Sequence, residues 1–154
     1  APEWLDRGYS VLHVVGKGAF ESVLPQLPTA DAYKAVPFVY DGMSMLYGAA
    51  DVVVSRASAT SLQELAATAR AAVIIPNSSL GDQLENATTF VDAGAATMVR
   101  DEQLGENPEI LQRTVEELID DTKKRSSLEA SIAVFAKPQA ASDVAELLLA
   151  AVKS

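Results

Sequence analysis

One stretch decides the predicted fold: residues 50–86 read AADVVVSRASATSLQELAATARAAVIIPNSSLGDQLEN. Two apolar runs, 51–54 and 72–75, are each followed by small or polar residues and then by a helical pattern. This order predicts β-loop-α-β-loop-α, in which the loops after the strands and the amino ends of the helices line one crevice. Helix amino ends carry unpaired N–H groups and a positive dipole end, which suit phosphates. We interpret the stretch as half of a nucleotide-sugar site.

Strands and helices alternate along the rest of the chain as well. Strands are predicted at 10–15, 34–39, 51–55, 72–75 and 95–99, and helices at 19–24, 43–50, 60–69, 82–93, 107–121, 122–136 and 139–152. Inward-facing residues are predicted on four of these helices: Met45, Leu46 and Ala49; Leu62, Leu65, Ala66 and Ala69; Leu111, Val115 and Leu118; and Val144, Leu147, Leu148 and Ala151. The alternation predicts an α/β, Rossmann-like fold with a mostly parallel sheet and helices on both faces. At 154 residues, we expect a single domain, 1–154.

The composition argues against several classes of function. The net charge of -9 offers no basic surface for nucleic acid. The chain has no cysteine, which excludes disulfides and zinc-thiolate sites and fits a reducing compartment. No apolar run reaches the length of a membrane span, and no signal peptide is recognised in the first residues. The absent start methionine suggests a mature product, a tag-cleaved product or an excised domain.

The loop after the third strand is the first candidate site. Its small residues, Ala57 to Ala59, allow a ligand to approach the backbone, and Thr60 and Ser61 add hydroxyls at a helix amino end. This composition suits a diphosphate. The alternative is a strand-to-helix turn selected for capping alone, and spacing leaves both interpretations open.

Polar side chains at two helix starts have the same ambiguity. Glu64 follows Ser61 by three residues, which matches a capping box, although a carboxylate here also suits two ribose hydroxyls. Asp82, Gln83 and Asn86 open the next helix, where they either cap it or bind sugar hydroxyls. Spacing alone favours capping at both places.

The turn at Gly16-Lys17-Gly18 follows a strand, so a dinucleotide-binding fingerprint is an alternative. The fingerprint G-x-G-x-x-G/A has Glu21 at its last position here, and Asp41 lies at about the 20-residue spacing of the ribose-binding acid. His13 is the single histidine and lies inside an apolar strand. Neither a metal-binding pattern nor a nucleophile–base pair is visible, so we predict no metal, no cofactor and no catalytic residue.

Taken together, these segments resemble the C-terminal domain of the MurG-type glycosyltransferases of family 28, which have the GT-B fold. The resemblance extends over residues 4–152 and rests on AADVVVSRASATSLQEL, VIIP, DQLENATTFVDAGAA and AKPQAASDVAELL. It implies the donor-binding half of an inverting bacterial enzyme of peptidoglycan (cell-wall) synthesis. Such enzymes transfer N-acetylglucosamine from UDP-N-acetylglucosamine to a lipid-linked muramyl-pentapeptide acceptor and so make lipid II.

By position, the resemblance implies contacts along the whole donor. They are Phe38 and the Val39 backbone for uracil; Ser58, Ala59, Thr60 and Ser61 for the diphosphate; Glu64 for ribose; and Gln83, with Asp82 and Asn86, for N-acetylglucosamine. Arg56 is expected to orient the loop, and Gly16 completes the predicted substrate-binding set.

This chain also departs from the family pattern at three places. Ser58 stands where the family usually has glycine, and Ala69-Arg70-Ala71 replaces the usual Gly-Lys-Pro. Asp82 stands where His or Gln is common, so a carboxylate would lie close to an anionic ligand.

The resemblance further implies what the chain lacks. The acceptor site and the general base belong to the family's N-terminal domain, so we expect no transfer by this chain alone. The parent enzyme is expected in the cytoplasm, peripheral at the cytoplasmic face of the inner membrane, with membrane contact only through that enzyme. The domain's first strand and its glycine-rich loop have no counterpart here, and in the order 3-2-1-4-5-6 that strand is central. We therefore expect direct pairing of 10–15 with 51–55, a rearranged sheet, an intermolecular strand contact or partial stability.

Other functions fit the same pattern. The chain matches a stand-alone donor-binding subunit with a partner chain, or another nucleotide-sugar enzyme of the GT-B fold such as an epimerase. A non-catalytic nucleotide-binding module and an NAD-binding domain are the alternatives from other classes.

Overall fold

A computed structural model describes residues 2–152, and it confirms the predicted alternation of strands and helices. The strands are β1 (Val11–Val14), β2 (Tyr33–Val36), β3 (Val53–Ser55), β4 (Ala72–Ile74) and β5 (Thr97–Met98). The helices are α1 (Pro2–Asp6), α2 (Phe20–Val23), α3 (Met43–Ala49), α4 (Ala59–Ala67), α5 (Gly81–Asp92), α6 (Asp101–Glu106), α7 (Glu109–Asp120), α8 (Thr122–Ala133) and α9 (Ala140–Val152). A 3-10 turn, Leu24–Gln26, follows α2.

The strands form two parallel sheets, one in each of two compact units, Ala1–Leu46 and Tyr47–Ser154. The first unit pairs β1 with β2, and the second has the order β3-β4-β5. Within residues 2–152, β1 pairs only with β2 and β3 only with β4, so direct pairing of 10–15 with 51–55 is wrong. The rearranged sheet, the intermolecular strand contact and partial stability stay predictions. The single domain, 1–154, stays a prediction.

The second unit has its core around β4. All three residues of β4 are buried because this strand has neighbours on both edges and helices against it. Leu62, Leu65 and Ala66 of α4 are buried against the sheet, which confirms most of the stripe predicted there. The packed core fixes the carboxyl ends of the strands and the amino ends of the following helices, where ligands bind in α/β folds.

Helices α4 and α5 end in the same backbone motif with different residues. After α4, the Ala69 and Arg70 N–H groups donate to the carbonyl oxygens of Ala66 and Leu65, both at 3.1 Å. After α5, Gly94 and the next residue repeat these two bonds. This is the Schellman motif, which places the residue after the C-cap in the left-handed region. Gly94 has φ 64°, as its glycine predicts, whereas Ala69 has φ 51° and lies past the helix end rather than on its inward stripe.

Several predicted helix features are wrong. Residue Met45 of α3 is 74% exposed and Ala49 is exposed, so neither faces a core. The helix α9 forms, but its predicted inward residues are mostly exposed, with Leu147 at 71%. Helix α6 was not predicted at all. Asp121 caps α8 by accepting the Lys124 N–H at 2.9 Å, which marks the boundary with α7.

A helix that crosses a membrane must be both long and apolar. None of the helices within residues 2–152 combines the length and the apolar character that a membrane span requires.

Candidate nucleotide-sugar site

In the first unit, β1 leads into a tight turn that requires glycine. Gly16 has φ 93°, a conformation that side chains rarely adopt, and its carbonyl accepts the N–H groups of Ala19 and Phe20 at 3.3 and 3.1 Å. The helix that follows, α2, has four residues. A dinucleotide fingerprint requires a helix whose amino end and dipole face the pyrophosphate. A single-turn helix supplies little of that dipole, which argues against the NAD-binding alternative.

The strand β2 ends earlier than predicted. Pro37 has no N–H to continue the ladder, so the strand stops at Val36 instead of residue 39. Phe38 and Val39 therefore lie in the loop at the carboxyl end of the sheet, with Phe38 exposed and Val39 half-buried. The Phe38 ring meets the Tyr40 ring edge-to-face, with the centroids 5.0 Å apart.

In the second unit, Ser58 begins α4. Its Oγ accepts the Ser61 N–H at 3.2 Å and contacts the Ser61 Oγ at 2.8 Å. The helix therefore begins before Ser61, and the capping box predicted between Ser61 and Glu64 is wrong. Within the described residues, no hydrogen bond engages the N–H groups of Ala59 and Thr60, both exposed at the positive end of the helix. These two groups are available to an anion.

The side chain of Glu64 lies outside the cap of α4. It is exposed in the second turn of the helix, and its carboxylate offers acceptor positions for a pair of hydroxyls. Burial raises the pKa of Tyr47 above its ordinary value, and the interaction with the Glu64 carboxylate raises it further. Tyr47 was not predicted to interact with Glu64 because it lies on α3, and no local spacing links the two residues.

An arginine connects the loops that follow the three strands. Arg56, after β3, lies with its Nη1 2.9 Å from Asp101 Oδ1 and donates to the Ile75 carbonyl at 3.2 Å. Asp101, after β5, also accepts the Ser78 N–H at 3.4 Å. The hydrogen bond from Arg56 lowers the pKa of Asp101 below its ordinary value. Asp101 was not among the predicted site residues because no helix was predicted over 101–106.

The polar residues at the start of α5 do not cap it. Leu80 is the N-cap and contributes no side-chain bond. Gln83 Oε1 instead accepts the Asn77 N–H at 3.0 Å, and Asn86 Nδ2 donates to the Ala57 carbonyl at 3.3 Å. Asp82 is exposed in the first turn. Capping as the main role of these three residues is therefore wrong, and two of them stabilise the loops after β4 and β3.

The predicted site residues thus fall into two groups. Gly16, Phe38 and Val39 lie at the carboxyl end of the sheet of the first unit. In the second unit, the loops after β3 and β4 and the amino ends of α4 and α5 contain the rest: Arg56, Ser58, Ala59, Thr60, Ser61, Glu64, Asp82, Gln83 and Asn86. Among residues 2–152, no cluster of three or more His, Cys, Asp or Glu side chains is suited to a metal.

The fold defines the class of protein as an α/β protein with parallel sheets, and its predicted site residues lie in the loops and helix starts that follow the strands. The chain belongs to glycosyltransferase family 28, as its C-terminal domain: the family model matches residues 1–147. This confirms the family predicted from the sequence motifs.

Individual relatives agree with this assignment. The chain is 34% identical over 150 residues to the UDP-N-acetylglucosamine–N-acetylmuramyl-(pentapeptide) pyrophosphoryl-undecaprenol N-acetylglucosamine transferase of Gloeobacter violaceus, covering 96% of this chain and 41% of that protein. The crystal structure of Acinetobacter baumannii MurG matches with a TM-score of 0.75 at 27% identity, over 90% of this chain and 40% of that one. The glycosyltransferase VinC, solved with dTDP, shares the fold, with a TM-score of 0.68 at 23% identity over 87% and 33%. The chain spans about two fifths of the length of the first relative.

Proposed function

We propose that this chain binds UDP-N-acetylglucosamine as the donor half of an inverting, MurG-type N-acetylglucosamine transferase of peptidoglycan synthesis. The observation that carries the proposal is the start of α4. There, two N–H groups without a hydrogen bond within residues 2–152 lie at a helix amino end, one turn before the exposed carboxylate of Glu64. An anion-binding group followed by a diol-binding group is the order of a nucleoside diphosphate, with its diphosphate next to its ribose.

The diphosphate contact rests on hydrogen-bond donors. In this proposal, the Ala59 and Thr60 N–H groups and the Thr60 hydroxyl bind the phosphate oxygens, and the helix dipole stabilises their charge. Ser58 and Ser61 are hydrogen-bonded to each other, so they stabilise the first turn of α4, which presents these donors. Arg56 orients the loop through its bonds to Asp101 and to the Ile75 carbonyl.

The ribose and sugar contacts rest on the next two groups. Glu64 accepts the two ribose hydroxyls with its exposed carboxylate oxygens. The Gln83 side-chain oxygen is engaged by Asn77, so its amide N–H₂ group is the part that donates to the sugar. Asp82 accepts from sugar hydroxyls, and Asn86 supports the Ala57 loop.

The uracil contact belongs to the first unit. Phe38 offers an exposed ring and Val39 a loop backbone, whose N–H and C=O groups complement the polar edge of uracil. Gly16 keeps the adjacent turn compact because its left-handed φ is open to glycine.

The reaction follows from these contacts. A hydroxyl oxygen of the lipid-linked acceptor attacks the anomeric carbon, the bond from that carbon to the diphosphate oxygen breaks, and UDP leaves with inverted configuration at the sugar. The amino end of α4 stabilises the negative charge that develops on the leaving diphosphate. The hydroxyl proton passes to a general base of the N-terminal acceptor domain. We therefore propose that transfer requires that domain, in an enzyme peripheral to the cytoplasmic face of the inner membrane.

Calorimetric titration of the purified chain with UDP-N-acetylglucosamine, UDP and UDP-glucose tests the proposal. We expect Glu64→Ala to weaken donor binding about 10-fold to 100-fold, because hydrogen bonds to a charged group contribute about 1.5–3 kcal/mol. Glu146→Ala is the matched control, since Glu146 is an exposed glutamate on α9. No binding by folded wild type contradicts the proposal, and binding of UDP without sugar preference favours a non-catalytic module.

A further inference from the structure

We infer that Lys17 is a positioning residue that holds the exposed Phe38 and Tyr40 rings together as one aromatic surface for the uracil base. This inference rests on the proposed function and extends its base-binding part to two residues, Lys17 and Tyr40, that no motif assigned.

The contacts that carry the inference lie within the first unit. Lys17 Nζ is 4.7 Å from the centroid of the Phe38 ring and 4.5 Å from that of the Tyr40 ring. Both distances are within the roughly 6 Å range of cation–π attraction. One ammonium therefore bridges two rings that already meet edge-to-face at 71°. The three side chains form one cluster rather than separate pairs.

The location of the cluster points to a ligand. Lys17 lies in the turn after β1, and both aromatic residues lie in the loop after β2, at the carboxyl ends of two parallel strands. Phe38 is 48% exposed and Tyr40 is 75% exposed. Large aromatic side chains gain stability by burial, so exposed rings at the ends of these strands are suited to contact with a planar base. Because the two rings meet at 71°, a base that stacks on one ring packs its edge against the other. The left-handed turn at Gly16 sets the direction from which Lys17 returns over the rings.

The charge of Lys17 supports positioning over a direct phosphate contact. Among residues 2–152, no salt bridge engages Lys17, so the rings are its recorded partners. The Lys17 ammonium lies over the faces of the two rings, where it acts as a positive charge and not as a hydrogen-bond donor. Uracil, an electron-poor ring, then uses the ring surface that the ammonium leaves open. Each cation–π contact at an exposed site corresponds to a factor of about two to five in an equilibrium constant.

The test is UDP binding by the purified chain at low and high salt, measured by calorimetry. We expect Lys17→Met to weaken UDP binding about 5-fold to 30-fold, with the same ratio to wild type at both salt concentrations. Lys17→Arg is expected to retain most of the affinity because guanidinium also stacks on aromatic faces. Tyr40→Leu is also expected to weaken UDP binding. In the double variant with Lys17→Met, the fold-loss of affinity is expected to be smaller than the product of the two single fold-losses, because both changes remove the same contact.

The controls separate this inference from the proposed function. Lys34→Met removes an exposed lysine from β2, outside the cluster, and is expected to leave UDP binding unchanged. Thermal unfolding of every variant checks that the fold is retained. If wild type binds UDP and folded Lys17→Met binds it equally well, the inference is wrong while the proposed function stands. A loss that shrinks at high salt identifies Lys17 as a phosphate ligand and also overturns the inference. If wild type does not bind UDP, both fail.

Discussion

The left-handed alanine after α4 leads to a testable prediction about stability. Ala69 has φ 51°, at the position of the Schellman motif that glycine usually occupies and that Gly94 occupies after α5. Left-handed backbone costs an L-residue about 1–2 kcal/mol, because Cβ approaches the following carbonyl oxygen. Replacing Ala69 with glycine removes this strain and leaves the two Schellman hydrogen bonds in place.

The expected gain in the free energy of unfolding equals the backbone strain that is removed minus two smaller destabilising effects of the substitution. Glycine has more freedom in the unfolded chain, which offsets about 0.4–1 kcal/mol. The methyl group of Ala69 is half-buried, and its removal offsets about 0.4 kcal/mol. We therefore expect Ala69→Gly to raise the free energy of unfolding by about 0.5 kcal/mol, and the melting temperature by about 1–2 °C. Urea denaturation and calorimetry measure both quantities.

Two control variants separate the effect of left-handed backbone from the ordinary cost of glycine in a helix. Gly94→Ala places a Cβ in the same conformation with nothing within 4 Å, so its expected destabilisation of about 1 kcal/mol is purely conformational. Ala130→Gly, at an exposed interior position of α8, is expected to destabilise by about 1 kcal/mol. If Ala69→Gly lowers the melting temperature as Ala130→Gly does, the strain argument for Ala69 is wrong.

Three further changes test the core and the loops. Ile132→Ala is expected to lower the free energy of unfolding, measured by urea denaturation, by about 2–5 kcal/mol, because Ile132 is fully buried. The control Val134→Ala, at a residue that is 77% exposed, is expected to change it by less than about 0.5 kcal/mol. Ser58→Ala is expected to cost about 1 kcal/mol through the lost cap and Ser58→Gly only a few tenths, so equal effects would contradict the capping geometry. The lowered pKa of Asp101 means that the folded state favours the ionised carboxylate. The interaction with Arg56 therefore stabilises the fold at pH values above the ordinary pKa of aspartate, and this stabilisation is lost as the pH falls through the pKa of Asp101 in the folded state. The stability difference between wild type and Asp101→Asn is therefore expected to shrink from neutral to acidic pH, and a difference that is constant with pH would rule out this ion pair.

The fold was predictable where local pattern and tertiary packing agree. On α4, Leu62, Leu65 and Ala66 have helical spacing, and all three are buried in the core. Prediction failed where packing decides alone. The residues of α9 also have helical spacing, yet Leu147 is 71% exposed, because periodicity states which face is apolar and not what covers it.

The site was predictable at the level of loops and less so at the level of bonds. The sequence pattern placed Arg56 directly after the third strand and Gln83 at the start of the helix after the fourth, and both lie there. Their partners, Asp101 and Asn77, were not predicted, since a hydrogen bond between separate loops leaves no periodic signal in the sequence. The same holds for Lys17, whose contacts with Phe38 and Tyr40 depend on strands β1 and β2 lying side by side.

Glu64 shows how the position of a helix start changes the interpretation of a residue. If α4 began at Ser61, Glu64 would lie in its first turn and would complete a capping box. In the structure Ser58 is the N-cap, and its hydroxyl satisfies the Ser61 N–H that such a box requires. Glu64 is then one turn too far along the helix to cap it. Its exposed carboxylate is not needed to begin the helix, so the capping explanation that spacing favoured no longer applies, and the proposed ribose contact stays a prediction for the Glu64→Ala titration to test.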